Sequence, residues 1–283
     1  MSKIICTIPH EAFNPEVIIQ SGQVFRMWKH GETYYALSGD KSIWFQKIDY
    51  KTWEFHTNLN DWVNFWWDYF DFSSDYSEVN AKIMNCSDDF LKKSLENSQG
   101  MRILKQDLWE TIITFIISQQ NNIPKIGKTI SNLCSKFGTK HEATTEMIEY
   151  YSFPTAEQIA NLRLSDLQDG TMLGYRAEYI LKFAQAVQNE EINLNSLFSL
   201  NYEEAMRKLQ TIKGIGVKVS NCICLYGLHL MESYPIDTWM SKIISQDYAH
   251  YTQEEYLSYI NSEYESYQGY IQQLQFFYKR NFK

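Results

Sequence analysis

The spacing of apolar residues changes along this chain. Up to about residue 57 they fall in short aromatic or branched runs, Phe25 to Trp28, Tyr34 to Leu37 and Ser42 to Phe45, with Gly22, Gly31 and Gly39 among them. Short runs punctuated by glycine are the pattern of strands and turns, and they predict an antiparallel sheet. Asp61 to Phe70 then puts Trp62, Trp66 and Tyr69 on one face of a helix. The acidic, serine-containing stretch Asp71 to Glu78 reads as a loop, and a helical pattern resumes from Lys82.

From Asp107 the helical period takes over. Leu108, Ile112, Phe115 and Ile116 form a buried helix that ends in the polar elbow Ser118-Gln119-Gln120. Pro124 suits the first turn of the next helix, where Ile126, Ile130 and Leu133 follow at helical spacing. Thr144 to Ile148, Ala156 to Asn161 and Ala177 to Val187 continue the series. Ser199 or Asn201 caps a helix running through Met206 and Leu209, with Glu203 and Glu204 in its first turn. The last helical candidate is Tyr267 to Tyr278, and no internal repeat or disordered linker interrupts the chain. The expected fold is α+β. An N-terminal domain with an antiparallel sheet (1–100) packs on a mainly helical body (101–283) whose hairpin lies near 209–226.

Composition narrows the function classes. The 283 residues can bury a full core, and they include 20 Tyr, 16 Phe and 8 Trp, which fill cores or stack on bases. No run of 18 apolar residues occurs and the N-terminus has no long apolar segment, so neither a membrane span nor a leader is expected. Cys6, Cys86, Cys134, Cys222 and Cys224 are odd in number and irregularly spaced, which points to a reducing cytoplasm. They form no four-cysteine iron–sulfur signature, and Cys222-Ile223-Cys224 is too close for a zinc knuckle.

The formal net charge of -8 argues against a surface that coats nucleic acid broadly. It leaves room for a local face. Residues 51–100 carry nine acids against four Lys/Arg, whereas residues 101–140 carry six Lys/Arg against two acids. Segregated positive charge is what one binding face needs, although a solvated surface with a chance imbalance would look the same.

The candidate chemistry lies in residues 211–239. A Gly-x-Gly turn, Gly214 to Gly216, precedes the apolar helical run through Val217, Val219 and Cys222. One glycine allows a tight turn and the other a close backbone approach, and amides at such a junction can hold a phosphate. Lys218 sits in the first turn of that helix, and Asp237 follows a Tyr-Pro step 19 positions later. Aligned amides at a helix start disfavour an ammonium, so Lys218 is a candidate amine nucleophile. The plain alternatives are a structural helix connection, a solvent-facing lysine and an aspartate that merely caps the helix Thr238 to Ile244.

The hairpin and four other segments together resemble the helix-hairpin-helix DNA glycosylase superfamily, and within it the 8-oxoguanine DNA glycosylase/AP lyase family. The segments are Ser21-Gly22-Gln23-Val24-Phe25-Arg26, Ser118-Gln119-Gln120-Asn121-Asn122-Ile123, Leu173-Gly174-Tyr175-Arg176-Ala177, the hairpin through Asp237, and Tyr267-Gln268-Gly269-Tyr270-Ile271-Gln272. They run in family order over almost the whole chain; the hairpin alone would reach only the superfamily.

The resemblance implies roles. Lys218 would attack the deoxyribose C1′, and the resulting Schiff base would permit β-elimination of the 3′ phosphate. Asp237 would assist it and stabilise the cationic sugar. Cys222 and Phe276 would sandwich the flipped purine, Gln272 would bond its Watson–Crick edge, and the Gly22 carbonyl would accept the N7 proton that guanine lacks. Tyr175 would wedge the stack and Arg176 would bind the widowed cytosine. Gln120, Asn121, Asn122 and Lys125 would contact DNA or the opposite base, and Gly214, Gly216 and Val217 would bind phosphate. Core packing for Cys222 and Phe276, a solvated helix position for Gln272 and a capping cluster at the elbow are the plain alternatives.

Three departures from the best-known eukaryotic members stand out. Gln120 replaces an asparagine and Lys125 an arginine, which predicts weaker discrimination for cytosine opposite the lesion because lysine lacks the planar fork. Trp239 replaces a phosphate-contacting histidine and cannot carry positive charge. The implied partner is damaged double-stranded DNA, bound by a monomer in the cytoplasm (the nucleoid of a bacterial cell), with no membrane and no obligate protein partner. No metal or cofactor is required, although hairpin carbonyls could hold a structural cation. A glycosylase for another modified purine and a noncatalytic damaged-DNA-binding protein are the competing readings; the second would have no use for Lys218 and Asp237 at this spacing.

Overall fold

The computed structural model describes residues 2–142 and 148–283. The expected helix over Thr144 to Ile148 lies almost wholly outside the described residues. The N-terminal part holds β1 (Ser2–Thr7), α1 (Pro15–Gln20), β2 (Met27–His30), β3 (Thr33–Ser38), β4 (Lys41–Lys47) and β5 (Thr52–Thr57). The strands form one antiparallel sheet in the order β1-β5-β4-β3-β2. The three apolar runs fall on or beside β2, β3 and β4. The helix α1 has no apolar period long enough to read, yet Asn14 caps it and Pro15 opens it, a local start signal that stands in the sequence.

One face of the sheet buries Ile43, Phe45, Trp53 and Phe55 against Phe13, Ile18 and a short helical segment. That segment is α2 (Leu59–Asp61), a π turn (Trp62–Trp66) and α3 (Trp67–Tyr69). Trp62, Trp66 and Tyr69 are buried as their spacing predicts. Each large apolar side chain so buried contributes about 1.5–3 kcal/mol.

The helical body comprises α4 (Ser77–Asn85), α5 (Asp89–Asn97), α6 (Leu108–Ser118), α7 (Ile123–Phe137), α8 (Ala156–Ala160), α9 (Leu164–Gln168) and α10 (Arg176–Gln188). It continues with α11 (Tyr202–Gln210), α12 (Val217–Tyr226), α13 (Thr238–Asp247), α14 (Gln253–Glu263) and α15 (Gln268–Phe282). The helix α6 is largely apolar, with eight buried residues, and packs against α7, α10 and α12; α15 joins the same core through α5 and α13. Val79, Ile83, Leu91 and Leu95 of α4 and α5 join this larger core rather than that of the sheet. Asn201, not Ser199, caps α11, in a reciprocal capping box with Glu204.

Two buried arginines tie the sheet to the helices. Arg26 pairs with Glu110 at 3.0 Å and donates to the Tyr151 carbonyl at 2.6 Å. Arg102 donates to the carbonyls of Ala12, Phe70 and Ser74. The turn at Ser21–Gln23, where the candidate site forms, is held by Gln106 Nε2 on the Gln23 carbonyl and by Gln273 Nε2 of α15 on the Ser21 carbonyl, each at 2.7 Å.

Candidate active site

A cavity of about 710 Å³ opens between α6, α7, α12, α13 and α15. Gly22, Asn121, Asn122, Lys218, Asp237, Trp239 and Phe276 line it. A deeper recess of about 60 Å³ continues from it, lined by Gly22, Lys218, Cys222, Asp237, Gln272 and Phe276. Six residues from four separate stretches of the chain therefore meet at one point.

Lys218 is the second residue of α12 and is half-buried, with its Nζ 5.5 Å from the centroid of the Phe115 ring. It is in no ion pair among the described residues. Gly214 has φ +93, and a Cβ there would strike the Tyr179 ring at 2.7 Å, so this position of the hairpin requires glycine. Gly216 precedes α12 without a side-chain cap and Val217 is 62% exposed, so the first amides of α12 face outward with no side chain upon them. Asp237 caps α13: its Oδ1 accepts from the amides of Trp239 and Met240, each at 2.9 Å. Capping and a role in the cavity coexist, because the cap holds the carboxylate where it also lines the recess.

The residues of the deeper recess have unusual hydrogen-bond states. Gln272 is 4% exposed, and its Oε1 is buried with no partner. Gly22 sits in a left-handed turn at φ +78. The Ser21 carbonyl accepts from Gln273 Nε2 at 2.7 Å and the Gln23 carbonyl from Gln106 Nε2 at 2.7 Å. Between these two occupied carbonyls, that of Gly22 accepts no bond among the described residues. Burial pushes the Cys222 thiol above its ordinary value, and Lys218 beside it pulls part of the way back. Phe276 is half-buried across the recess.

The elbow after α6 is held by Arg176. Its Nε donates to the Gln119 carbonyl at 3.0 Å, and its Nη atoms reach the carbonyls of Gln119, Gln120 and Leu173. Arg176 is thus buried, with its guanidinium on the elbow carbonyls. The carbonyls just past the end of α6 lack helical partners, and a guanidinium fork satisfies several at once. Gln120 is exposed at φ +48, a left-handed conformation that costs a non-glycine residue about 1–2 kcal/mol and that the Arg176 bonds help to hold. Asn121 donates to the Ile117 carbonyl at 3.2 Å, and Asn122 caps α7 through the Lys125 amide at 3.0 Å, so both asparagines cap while they line the cavity. Lys125 is exposed, and Tyr175 projects beside the hairpin with 49% exposure.

The cluster of positive residues in 101–140 is not one face. Arg102 is buried, Lys105 pairs with Asp68 and Asp71, Lys136 with Asp169, and Lys140 with Glu142 and Glu149. Lys125 and Lys128 are exposed and have no ion pair among the described residues. Among the cavity residues that the sequence did not single out are Phe115, hidden in an apolar helix, and Arg280, past the last motif. Among the described residues no group of three or more His, Cys, Asp or Glu side chains could hold a metal.

Residues 5–112 match the profile described as 8-oxoguanine DNA glycosylase, N-terminal domain, and residues 113–263 that of the HhH-GPD superfamily base excision DNA repair proteins. The solved 8-oxoguanine glycosylase/lyase of Clostridium acetobutylicum, in complex with DNA containing cytosine opposite 8-oxoG, is 32% identical with a TM-score of 0.86. That likeness covers 95% of this chain and 92% of the other. The chain belongs to the 8-oxoguanine DNA glycosylase/lyase family. Its relatives in this family include the protein of the structure of MBOgg1 in complex with low affinity DNA ligand, 33% identical with a TM-score of 0.90 over 99% of this chain and 96% of that one. The N-glycosylase/DNA lyase of Saccharomyces cerevisiae is 36% identical over 176 residues, 59% of this chain and 46% of that protein. The chain spans about half the length of the curated relatives it matches. No helix of the described residues is long and apolar enough to cross a membrane.

Proposed function

We propose that this chain is a bifunctional base-excision repair enzyme that flips 8-oxoguanine out of duplex DNA, removes it through Lys218 and then cuts the strand on the 3′ side of the abasic site. The observation that carries the reading is the recess in which Lys218 and Asp237 meet the unpaired Gln272 Oε1 and the free Gly22 carbonyl. An amine, a carboxylate and two acceptors without partners suit a ligand that brings N–H donors next to an electrophilic carbon. The N1–H, exocyclic amine and N7–H of 8-oxoguanine are such donors.

The chemistry balances without a cofactor. Nζ of Lys218 forms a bond to C1′ as the C1′–N9 bond breaks, and the electron pair leaves with the base, which takes up a proton. The carboxylate of Asp237 stabilises the positive charge that develops on the sugar. Opening of the C1′–O4′ bond yields the Schiff base. Loss of a C2′ proton then drives cleavage of the C3′–O bond and expels the 3′ phosphate. A cation on the hairpin carbonyls would be structural only.

Cys222 and Phe276 close on the two faces of the base, and guanine is rejected because its N7 would face the Gly22 carbonyl acceptor to acceptor. Tyr175 fills the gap in the duplex from beside the hairpin. Arg176 acts first by fixing the elbow, and Gln120, Asn121, Asn122 and Lys125 present that elbow to the opposite strand. The hairpin at Gly214, Gly216 and Val217 receives a backbone phosphate.

The test is incubation of wild type and Lys218→Gln with a duplex carrying one 8-oxoguanine opposite cytosine, in the presence of borohydride. A wild-type crosslink that the variant lacks, together with base release and strand cleavage, is the expected result. Binding with neither crosslink nor base release overturns the reading and favours a noncatalytic module or another modified purine.

A further inference from the structure

Arg280 is the one cavity residue with a charge that the chemistry above does not use. It lies one turn beyond Phe276 on α15, with its guanidinium carbon 5.4 Å from the centroid of that ring. One terminal nitrogen donates to the Gln20 carbonyl, which ties α15 to the end of α1. The other, Nη1, is buried and has no partner, and it lies 3.3 Å from where a Cβ on Gly22 would be. The charged residues lining the outer cavity are Lys218, Asp237 and Arg280. Burial pulls the Arg280 guanidinium below its ordinary value, and nearby Asp237 opposes that pull.

We infer that Arg280 holds a DNA phosphate that flanks the flipped nucleotide. The inference rests on the proposal that this cavity receives such a nucleotide. Lys218 must become a neutral amine to attack C1′, so during the reaction Arg280 is the standing positive charge of the cavity. Trp239, which lines the same cavity, is neutral and supplies none. The only anions that a duplex brings are its phosphates. Arg280 lines the outer cavity and is absent from the lining of the deeper recess, which places its charge at the level of the backbone rather than of the base. The side chain as a whole is half-buried, so a small turn of the guanidinium presents Nη1 to the cavity while Nη2 keeps the Gln20 carbonyl. A guanidinium with one arm anchored and one arm free is preorganised for a phosphate oxygen.

The experiment measures binding, not cleavage. The full chain and its Arg280→Met and Arg280→Lys variants are titrated with a duplex carrying a tetrahydrofuran abasic analogue, across a salt series. Two further duplexes replace the 5′ or the 3′ flanking phosphate with a neutral methylphosphonate. Methionine keeps the stem over Phe276 and removes the charge; circular dichroism and thermal melting verify its fold. The expected result is a loss of about tenfold in affinity for Arg280→Met, with a salt slope smaller by about one. Arg280→Lys keeps the slope. On one of the two methylphosphonate duplexes wild type and Arg280→Met bind alike. An unchanged salt slope, or the same penalty on both methylphosphonate duplexes, overturns the phosphate contact. A penalty that appears only when a damaged base replaces the abasic analogue also overturns it, in favour of a base contact. If wild type does not prefer the abasic duplex to undamaged DNA, the flipping reading itself fails and the inference falls with it.

Discussion

Replacing Gln272 by leucine should make the free protein more stable and the enzyme worse. Gln272 is 4% exposed on α15, and its Oε1 has no hydrogen-bond partner. A buried acceptor left unpaired costs about 1–3 kcal/mol relative to one that is satisfied. Leucine of similar length removes that cost and adds apolar contact beside Cys222 and Phe276. The expected gain is about 1–2 kcal/mol, which for a chain of this size raises the melting midpoint by roughly 2–8 °C. Activity should move the other way. A lost hydrogen bond to the base edge lowers kcat/KM for excision by roughly 10–100-fold. Denaturant unfolding and single-turnover base release on the same preparations measure both quantities. A variant that is less stable than wild type would refute the reasoning, since it would mean that Oε1 is satisfied in the free protein. A more stable variant that keeps full excision would show instead that the orphaned oxygen does not read the base.

Three further outcomes are expected. Gly22→Ala forces a non-glycine residue to φ +78 and brings a Cβ to 3.0 Å from Ile123 Cδ1, so it should lose about 1–2 kcal/mol of stability in denaturant melts and weaken lesion binding. Burial pushes the Asp71 carboxyl up, but the His229 contact and the Ser74 and Tyr76 hydroxyls outweigh it and hold the group below its ordinary value. Its stabilising effect is therefore complete above the ordinary carboxylate range and is lost as pH falls through the lowered folded value. Urea midpoints measured between about pH 3 and 6 should fall less steeply for Asp71→Asn than for wild type. With Gln120 and Lys125 at the elbow in place of asparagine and arginine, excision opposite C, A, G and T should proceed at comparable rates; a strict preference for cytosine in a four-duplex comparison would count against that reading.

Local signals carried much of this protein in its sequence. The runs at β2, β3 and β4, the face Trp62, Trp66 and Tyr69, the cap at Asn201 and the hairpin before Lys218 all rest on interactions within a few residues. A period, a cap or a glycine in a turn is set by the backbone that immediately surrounds it, so a linear reading recovers it. The helix α1 was equally local, marked by Asn14 and Pro15, but too short to show a period.

What only the tertiary structure decided depends on residues far apart in the chain. Arg176 turned inward because the elbow carbonyls, 56 and 57 positions away, lacked partners. Lys105 and Lys136 of the positive segment 101–140 were taken up by Asp68, Asp71 and Asp169, which lie well apart from them in the sequence. The unpaired Gln272 Oε1, the free Gly22 carbonyl and the half-anchored Arg280 are states of pairing, and pairing exists only once distant elements have packed. Sequence thus determined the identity and local setting of Lys218 and Asp237, on which the proposed chemistry rests. Packing decided which polar groups remain unsatisfied around them, and those groups are the ones left to bind.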